Sequence, residues 1–100
     1  MNQTHPPQPF FLGRIVISTS AEEVIDRADI DVALGRHARG DWGDMRPDDI
    51  RQNELAVREG ERVFSAYTDR RDTRFYVITE ADRSATIVLL PKDCRNRHGW

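Results

Sequence analysis

The order of local signals along the chain predicts an α+β domain. It has one N-terminal strand, two or three short helices and then a three-stranded antiparallel meander, with the helices packed on one face of the sheet. Two observations carry this prediction. A run of β-branched residues stands ahead of the first helix signal. Apolar residues recur with a helical period as far as Gly60 and with a period of two beyond it.

In chain order, the stretch FLGRIVIST carries Ile15, Val16 and Ile17 and reads as a short buried strand. Ser20-Ala-Glu-Glu23 has the spacing of a capping box, so a short helix is expected to start there. Asp29 offers a second cap before a run that puts Ile30, Ala33, Leu34, His37 and Ala38 on one helical face. Gly40 stops that helix. Pro47 suits the first position of a third helix, with Asp48 and Asp49 near its positive end, running to about Glu59 before Gly60 closes it. Three apolar runs follow, Arg62 to Tyr67, Arg74 to Thr79 and Ala85 to Leu90, separated by breaks short enough for hairpins. Pro91 ends the last of them.

One hundred residues, 38% apolar and 32% charged, suffice for one compact domain, placed at residues 10–91. Residues 1–9 hold Pro6, Pro7 and Pro9 and read as a mobile tail, and residues 92–100 read as a polar, basic tail. The longest apolar runs, such as Ile87 to Leu90, are far shorter than a bilayer helix, and the N-terminus lacks a secretory pattern, so no membrane partner is expected. A lone cysteine, Cys94, allows no internal disulfide and points to a cytoplasmic setting. His5, His37 and His98 are scattered, and no phosphate-binding glycine loop or nucleophile elbow is present, so neither a metal nor another cofactor is expected. A net charge of -2 gives no global field for nucleic acid, and any such case rests on local patches. The basic residues are arginine apart from Lys92, which fits either planar recognition of phosphate and carboxylate or the codon bias of a GC-rich genome.

Several polar residues stand where the pattern calls for apolar ones. His37 lies in the apolar stripe of the second helix, where an imidazole serves either as an acid or base or as a core group satisfied by a neighbour. Asn53 is three residues after Ile50 and should also face the sheet, with Ser65, Tyr67 and Thr79 as hydroxyl partners. Arg62 and Arg74 open two strands and can bring guanidinium groups to the same region. Asp41 and Trp42 sit in a glycine-flanked turn, where the indole either meets a partner or caps the helical layer. Glu80 and Arg83 flank the last tight turn, where a surface ion pair is the plain expectation.

The segments LGRIV, RHARGDWGD, EGERVFSAYTD and YVITEADRSATIVLLP resemble a family of short, mostly uncharacterised bacterial proteins of plasmids, phages and integrative elements. Some of these are labelled plasmid-related protein or restriction-modification subunit. The likeness runs from Leu12 to Pro91, with GDWG and ITEADRS as its most specific parts, and it departs at both ends of the chain. The family favours the residues found here at His37, Asp41, Trp42, Gly43, Asn53, Ser65, Tyr67, Thr79, Glu80, Arg83 and Thr86. The resemblance implies an accessory protein of a mobile element that binds a host or plasmid macromolecule, protein or RNA, in defence, counter-defence or maintenance. It implies no particular reaction.

Two other readings remain open. One is a metal-independent, barnase-like endoribonuclease with His37 as acid or base, Arg62 or Arg83 stabilising phosphorane charge, Tyr67 or Thr79 orienting phosphate, and Asn53 beside them. It requires these groups to converge on one concave, solvent-reached site. The other is a structural homo-oligomer, because Phe75 to Ile78 and Ile87 to Leu90 are apolar on both alternating sets and a second chain would cover the free sheet face.

Overall fold

The four strands are β1 (Arg14–Ile17), β2 (Val63–Thr68), β3 (Arg74–Thr79) and β4 (Ala85–Leu89), and they form one sheet in the order β1-β4-β3-β2. This computed structural model describes residues 10–94, so the expected N-terminal tail and residues 95–100 of the C-terminal one lie outside the described residues. The helices are α1 (Thr19–Val24), α2 (Arg27–Ala38), α3 (Pro47–Glu59) and α4 (Pro91–Cys94). The class is α+β. β2 pairs with β3 and β3 with β4 in antiparallel fashion, and the correction concerns β1, which joins these three strands by running parallel to β4, with Arg14 level with Ala85 and Ile17 with Val88, so that the four-stranded sheet is mixed.

Period-2 alternation sorts the strand residues onto two faces. Tyr67, Phe75, Val77 and Val88 join Ala21, Ile25, Ile30, Ala33 and Leu34 of the α1–α2 segment in the main core cluster. The α2 stripe is buried as its spacing requires. Phe64, Tyr76, Ile78, Ile87 and Leu89 point the other way by register. Of these, Ile78 and Leu89 are buried at the centre, while Phe64, Tyr76 and Ile87 stay partly exposed.

α3 sits beside the open edge of β2. The Phe64 N–H donates to Asn53 Oδ1 at 3.1 Å, and Asn53 Nδ2 donates to the Phe64 carbonyl at 2.6 Å. One turn of strand further on, the Ala66 N–H donates to the Trp42 carbonyl and the Asp44 N–H to the Ala66 carbonyl. Gly43 bridges Ala66 at φ 77°, where a Cβ would collide with the Ala66 carbonyl and the Tyr67 ring. An edge strand with unpaired backbone groups invites aberrant pairing, and here the groups are met from within the chain.

The helix ends follow local chemistry, with three departures from the sequence reading. Pro47 opens α3 and Gly60 closes it in the left-handed region at φ 74°. The cap of α1 is Ser18, whose side chain accepts from the Ala21 N–H, so the box at Ser20 is not used. α2 starts at Arg27, ahead of Asp29, which instead accepts from the Arg70 side chain and N–H and ties α2 to the β2–β3 turn. The third departure is α4, which stands where a loose tail was expected. Asp93 accounts for it by accepting from Ser18, Ser20 and the Leu90 N–H at 2.7–2.9 Å. Burial raises the Asp93 pKa, but these donors outweigh it and hold the carboxyl below its ordinary value. Because β1 and β4 are parallel neighbours, the residues that follow each strand meet at the same end of the sheet.

Candidate functional site

His37 is fully buried, and both of its ring nitrogens are occupied. Nδ1 lies 2.5 Å from Ser65 Oγ and Nε2 lies 2.8 Å from Thr79 Oγ1. Thr79 Oγ1 is 2.7 Å from Thr86 Oγ1, which donates to the Leu12 carbonyl at 2.6 Å. That last bond fixes the direction of all the others. Thr86 spends its proton on a carbonyl and must accept from Thr79, so Thr79 accepts from His37 Nε2–H and Ser65 donates to Nδ1. The imidazole is the neutral Nε2–H tautomer. Desolvation, reinforced by the Arg83 charge, pushes its pKa down to about 3.

The walls around the ring are aromatic. Phe10 meets His37 edge-on at 5.2 Å, Trp42 does so at 5.7 Å, and Phe10 and Trp42 stack at 6.1 Å. Trp42 is 5% exposed, so its indole fills the second core cluster with Phe10, Ala56 and Val63 and does not project as a stacking platform. Tyr67 donates to the Asp41 carbonyl at 2.7 Å, and burial pushes its phenol up to about 12. The Asp41 carboxylate takes two bonds from Arg36, at 2.8 and 3.1 Å, which hold its pKa below the ordinary value.

The remaining candidates lie elsewhere. Asn53 binds the Phe64 backbone and none of the hydroxyls proposed for it, because the β2 edge presents an amide-sized pair of unmet groups. The expected Glu80–Arg83 pair does not form. Glu80 is 3.7 Å from Arg62. Arg83, at φ 62°, donates to the carbonyls of Ala56, Glu61, Glu80 and Ala81 and lies over the Phe10 ring at 5.3 Å. Its guanidinium therefore clamps the end of α3 to the β3–β4 turn, and these bonds offset the cost of a left-handed non-glycine residue. The structure gathers His37, Ser65 and Thr79 in the core, with Trp42 against them, and leaves Arg62, Arg74 and Glu80 at the surface.

A groove of about 690 Å³ opens on the other side, between α3 and the outward residues of β2 and β3. Its floor holds Phe64 and Tyr76, whose rings are 4.8 Å apart and tilted by 52°. Arg74 lies 5.8 Å from the Tyr76 ring and donates to the Asp44 carbonyl at 3.5 Å. Arg62, Asp49, Glu59 and Glu61 edge the groove, with Met45 and Leu55 as its apolar shoulders. Asn53 and Arg74 were singled out from sequence, whereas Phe64 and Tyr76 were not. The alternation that sends Ser65 and Val77 inward sends these two rings outward, and that signal was available.

Among the described residues no group of three or more His, Cys, Asp or Glu is placed to hold a metal ion, and no helix is long and apolar enough to cross a membrane. No family model, curated protein or solved structure matches the chain.

Proposed function

We propose that the chain is a binding module that engages a macromolecular partner through the groove between α3 and the β2–β3 face. The observation that carries this reading is the Phe64–Tyr76 pair, two large rings left partly exposed on a concave surface beside an arginine. Aromatic and arginine anchors in pockets supply most of the energy in typical interfaces. The partner class is protein, because the carboxylates of Asp49, Glu59 and Glu61 outnumber the guanidinium groups of Arg62 and Arg74 along the groove, which disfavours phosphate and favours a segment with an apolar anchor and a flanking basic group. In the setting the resemblance implies, that partner is a cytoplasmic host or plasmid component acting in defence, counter-defence or maintenance.

The burial of His37 supports this reading over the ribonuclease one. General acid–base catalysis needs a group within reach of substrate with a pKa near the working pH. His37 is enclosed, and its pKa is lowered to about 3.

The test is capture from the native host with the wild type, Tyr76→Ala and the control Val32→Ser, whose residue is 63% exposed on α2. One protein should be retained by the wild type and Val32→Ser and lost with Tyr76→Ala. Retention by all three chains, or an eluate dominated by cleaved RNA, would overturn the proposal.

A further inference from the structure

The two edges of the sheet are treated differently. On β2 the outward groups of Phe64 and Ala66 are matched by Asn53, Trp42 and Asp44. On β1 the Arg14 N–H donates to the Ser84 carbonyl and the Ser18 N–H to the Val88 carbonyl, so the ladder to β4 uses Arg14, Val16 and Ser18. The alternate residues, Ile15 and Ile17, therefore turn their N–H and C=O groups outward. Outside the ladder, neither has a backbone hydrogen bond among the described residues. Ile15 and Val16 are 36% and 37% exposed, high for β-branched residues in a strand.

We propose that β1 pairs with β1 of a second copy in antiparallel fashion about a two-fold axis at Val16, joining two four-stranded sheets into one. The free groups select a strand, and the sequence of β1 selects itself. With the axis at Val16, Ile15 stands opposite Ile17 of the other copy and each pair exchanges two hydrogen bonds, which satisfies all four outward-facing donors and all four acceptors. Arg14 falls opposite Ser18 of the other copy, so no like charges face each other. Val16 meets its own counterpart in the close, non-hydrogen-bonded position. The chain's own first nine residues are a poorer occupant, because Pro6, Pro7 and Pro9 have no N–H to give a ladder. The contact lies away from the groove, so a failed dimer leaves the proposed function untouched.

Sedimentation equilibrium of the full chain from micromolar to millimolar concentration should give a mass rising to twice that of the monomer. Val16→Lys, which sets two ammonium groups against each other on the axis, should stay monomeric throughout, and at micromolar concentration, where both chains are monomeric, it should keep the thermal unfolding of the wild type. The register is read separately in a Cys94→Ser background. The close pair brings Cα atoms to about 4.5 Å, within the range a disulfide spans. Val16→Cys should therefore oxidise to a covalent dimer at least ten times faster than Arg14→Cys. A wild type monomeric at millimolar concentration, a dimer that survives Val16→Lys, or equal oxidation rates for the two cysteine variants would overturn the proposal. So would a monomer whose Ile15 and Ile17 amides are protected from exchange, since another segment would then hold the edge.

Discussion

The inner face of the sheet spends its polar groups on one another, and the outer face leaves its own at the surface. On the inner side, Ser65, His37, Thr79, Thr86 and the Leu12 carbonyl form a chain in which every proton has one destination. On the outer side, Arg74, Tyr76 and Phe64 share loose contacts at 5.8 and 4.8 Å along a groove. Residues adjacent in sequence, such as Phe64 and Ser65, thus belong to opposite physical regimes. Chemistry-bearing residue types concentrate where solvent is excluded, and the groove carries ordinary aromatic and charged groups.

The sharpest way to break the contrast is to cut the inner chain. His37→Leu removes both ring nitrogens, so the Ser65 hydroxyl loses the acceptor for its proton and the Thr79 hydroxyl keeps only its bond to Thr86, both in a dry core. The expected loss is about 3 kcal/mol, since a buried hydroxyl left without a partner costs roughly 1–3 kcal/mol. Urea unfolding of both chains measures it, and a loss below about 1 kcal/mol would mean the network is worth no more than a surface contact.

Asn53 comes next. Asn53→Ala leaves the Phe64 N–H and carbonyl without their side-chain partners at the β2 edge, where water can partly replace them. The expected cost is about 1–2 kcal/mol. Amide exchange at Phe64 should accelerate in this variant, while exchange at Val77 in the sheet interior should follow only the global change.

A pH titration sharpens the comparison without mutation. Burial holds the folded-state pKa of His37 near 3, against an ordinary 6.5. Between these values the unfolded chain binds a proton that the folded chain refuses. The contribution of His37 is therefore fully present above the ordinary value and falls as acid is added, by about 1.4 kcal/mol per pH unit. Asp29 and Asp41 are lowered by Arg70 and Arg36 respectively, and their contribution is lost only at more acid pH, below about 4. Chemical denaturation from pH 7 to pH 5 thus isolates the imidazole. NMR of the ring nitrogens should show the Nε2–H tautomer across that range, and a midpoint near 6.5 would mean that water reaches the ring.

How much of this was legible in the sequence depends on range. The apolar stripe of α2, Pro47 at the start of α3 and Gly60 at its end are local signals, read from neighbours three or four residues apart. The parallel seating of β1 on β4 is not local, because it joins Arg14 to Ala85 across the whole domain. The burial of His37 follows from its place in the stripe, but its partners come from two strands whose relative register no periodicity reports. Asn53 was placed correctly against the sheet and given the wrong partner. A carboxamide has the donor and acceptor of a peptide group, and a strand edge competes for it better than a hydroxyl does. α4 was missed because four residues carry no period, and its anchor, Asp93, is held by serines over seventy positions away.

The smallest expected effect on stability belongs to the outer face, and there function should part from folding. Tyr76→Ala removes a ring that is only partly buried and touches Phe64 and Arg74, so unfolding should shift by no more than about 1 kcal/mol. If Tyr76 anchors a partner, the same change should weaken that complex by about tenfold or more, the usual scale for truncating an aromatic hot spot. His37→Leu should behave in the opposite way, destabilising the fold while leaving the affinity of the folded fraction unchanged, because the imidazole faces away from the groove. Unfolding and binding measured on both variants give four numbers, and the two-regime account requires the large ones to fall on opposite variants. A Tyr76→Ala chain that binds as tightly as the wild type would show the groove to be bare surface, whatever the inner network is worth.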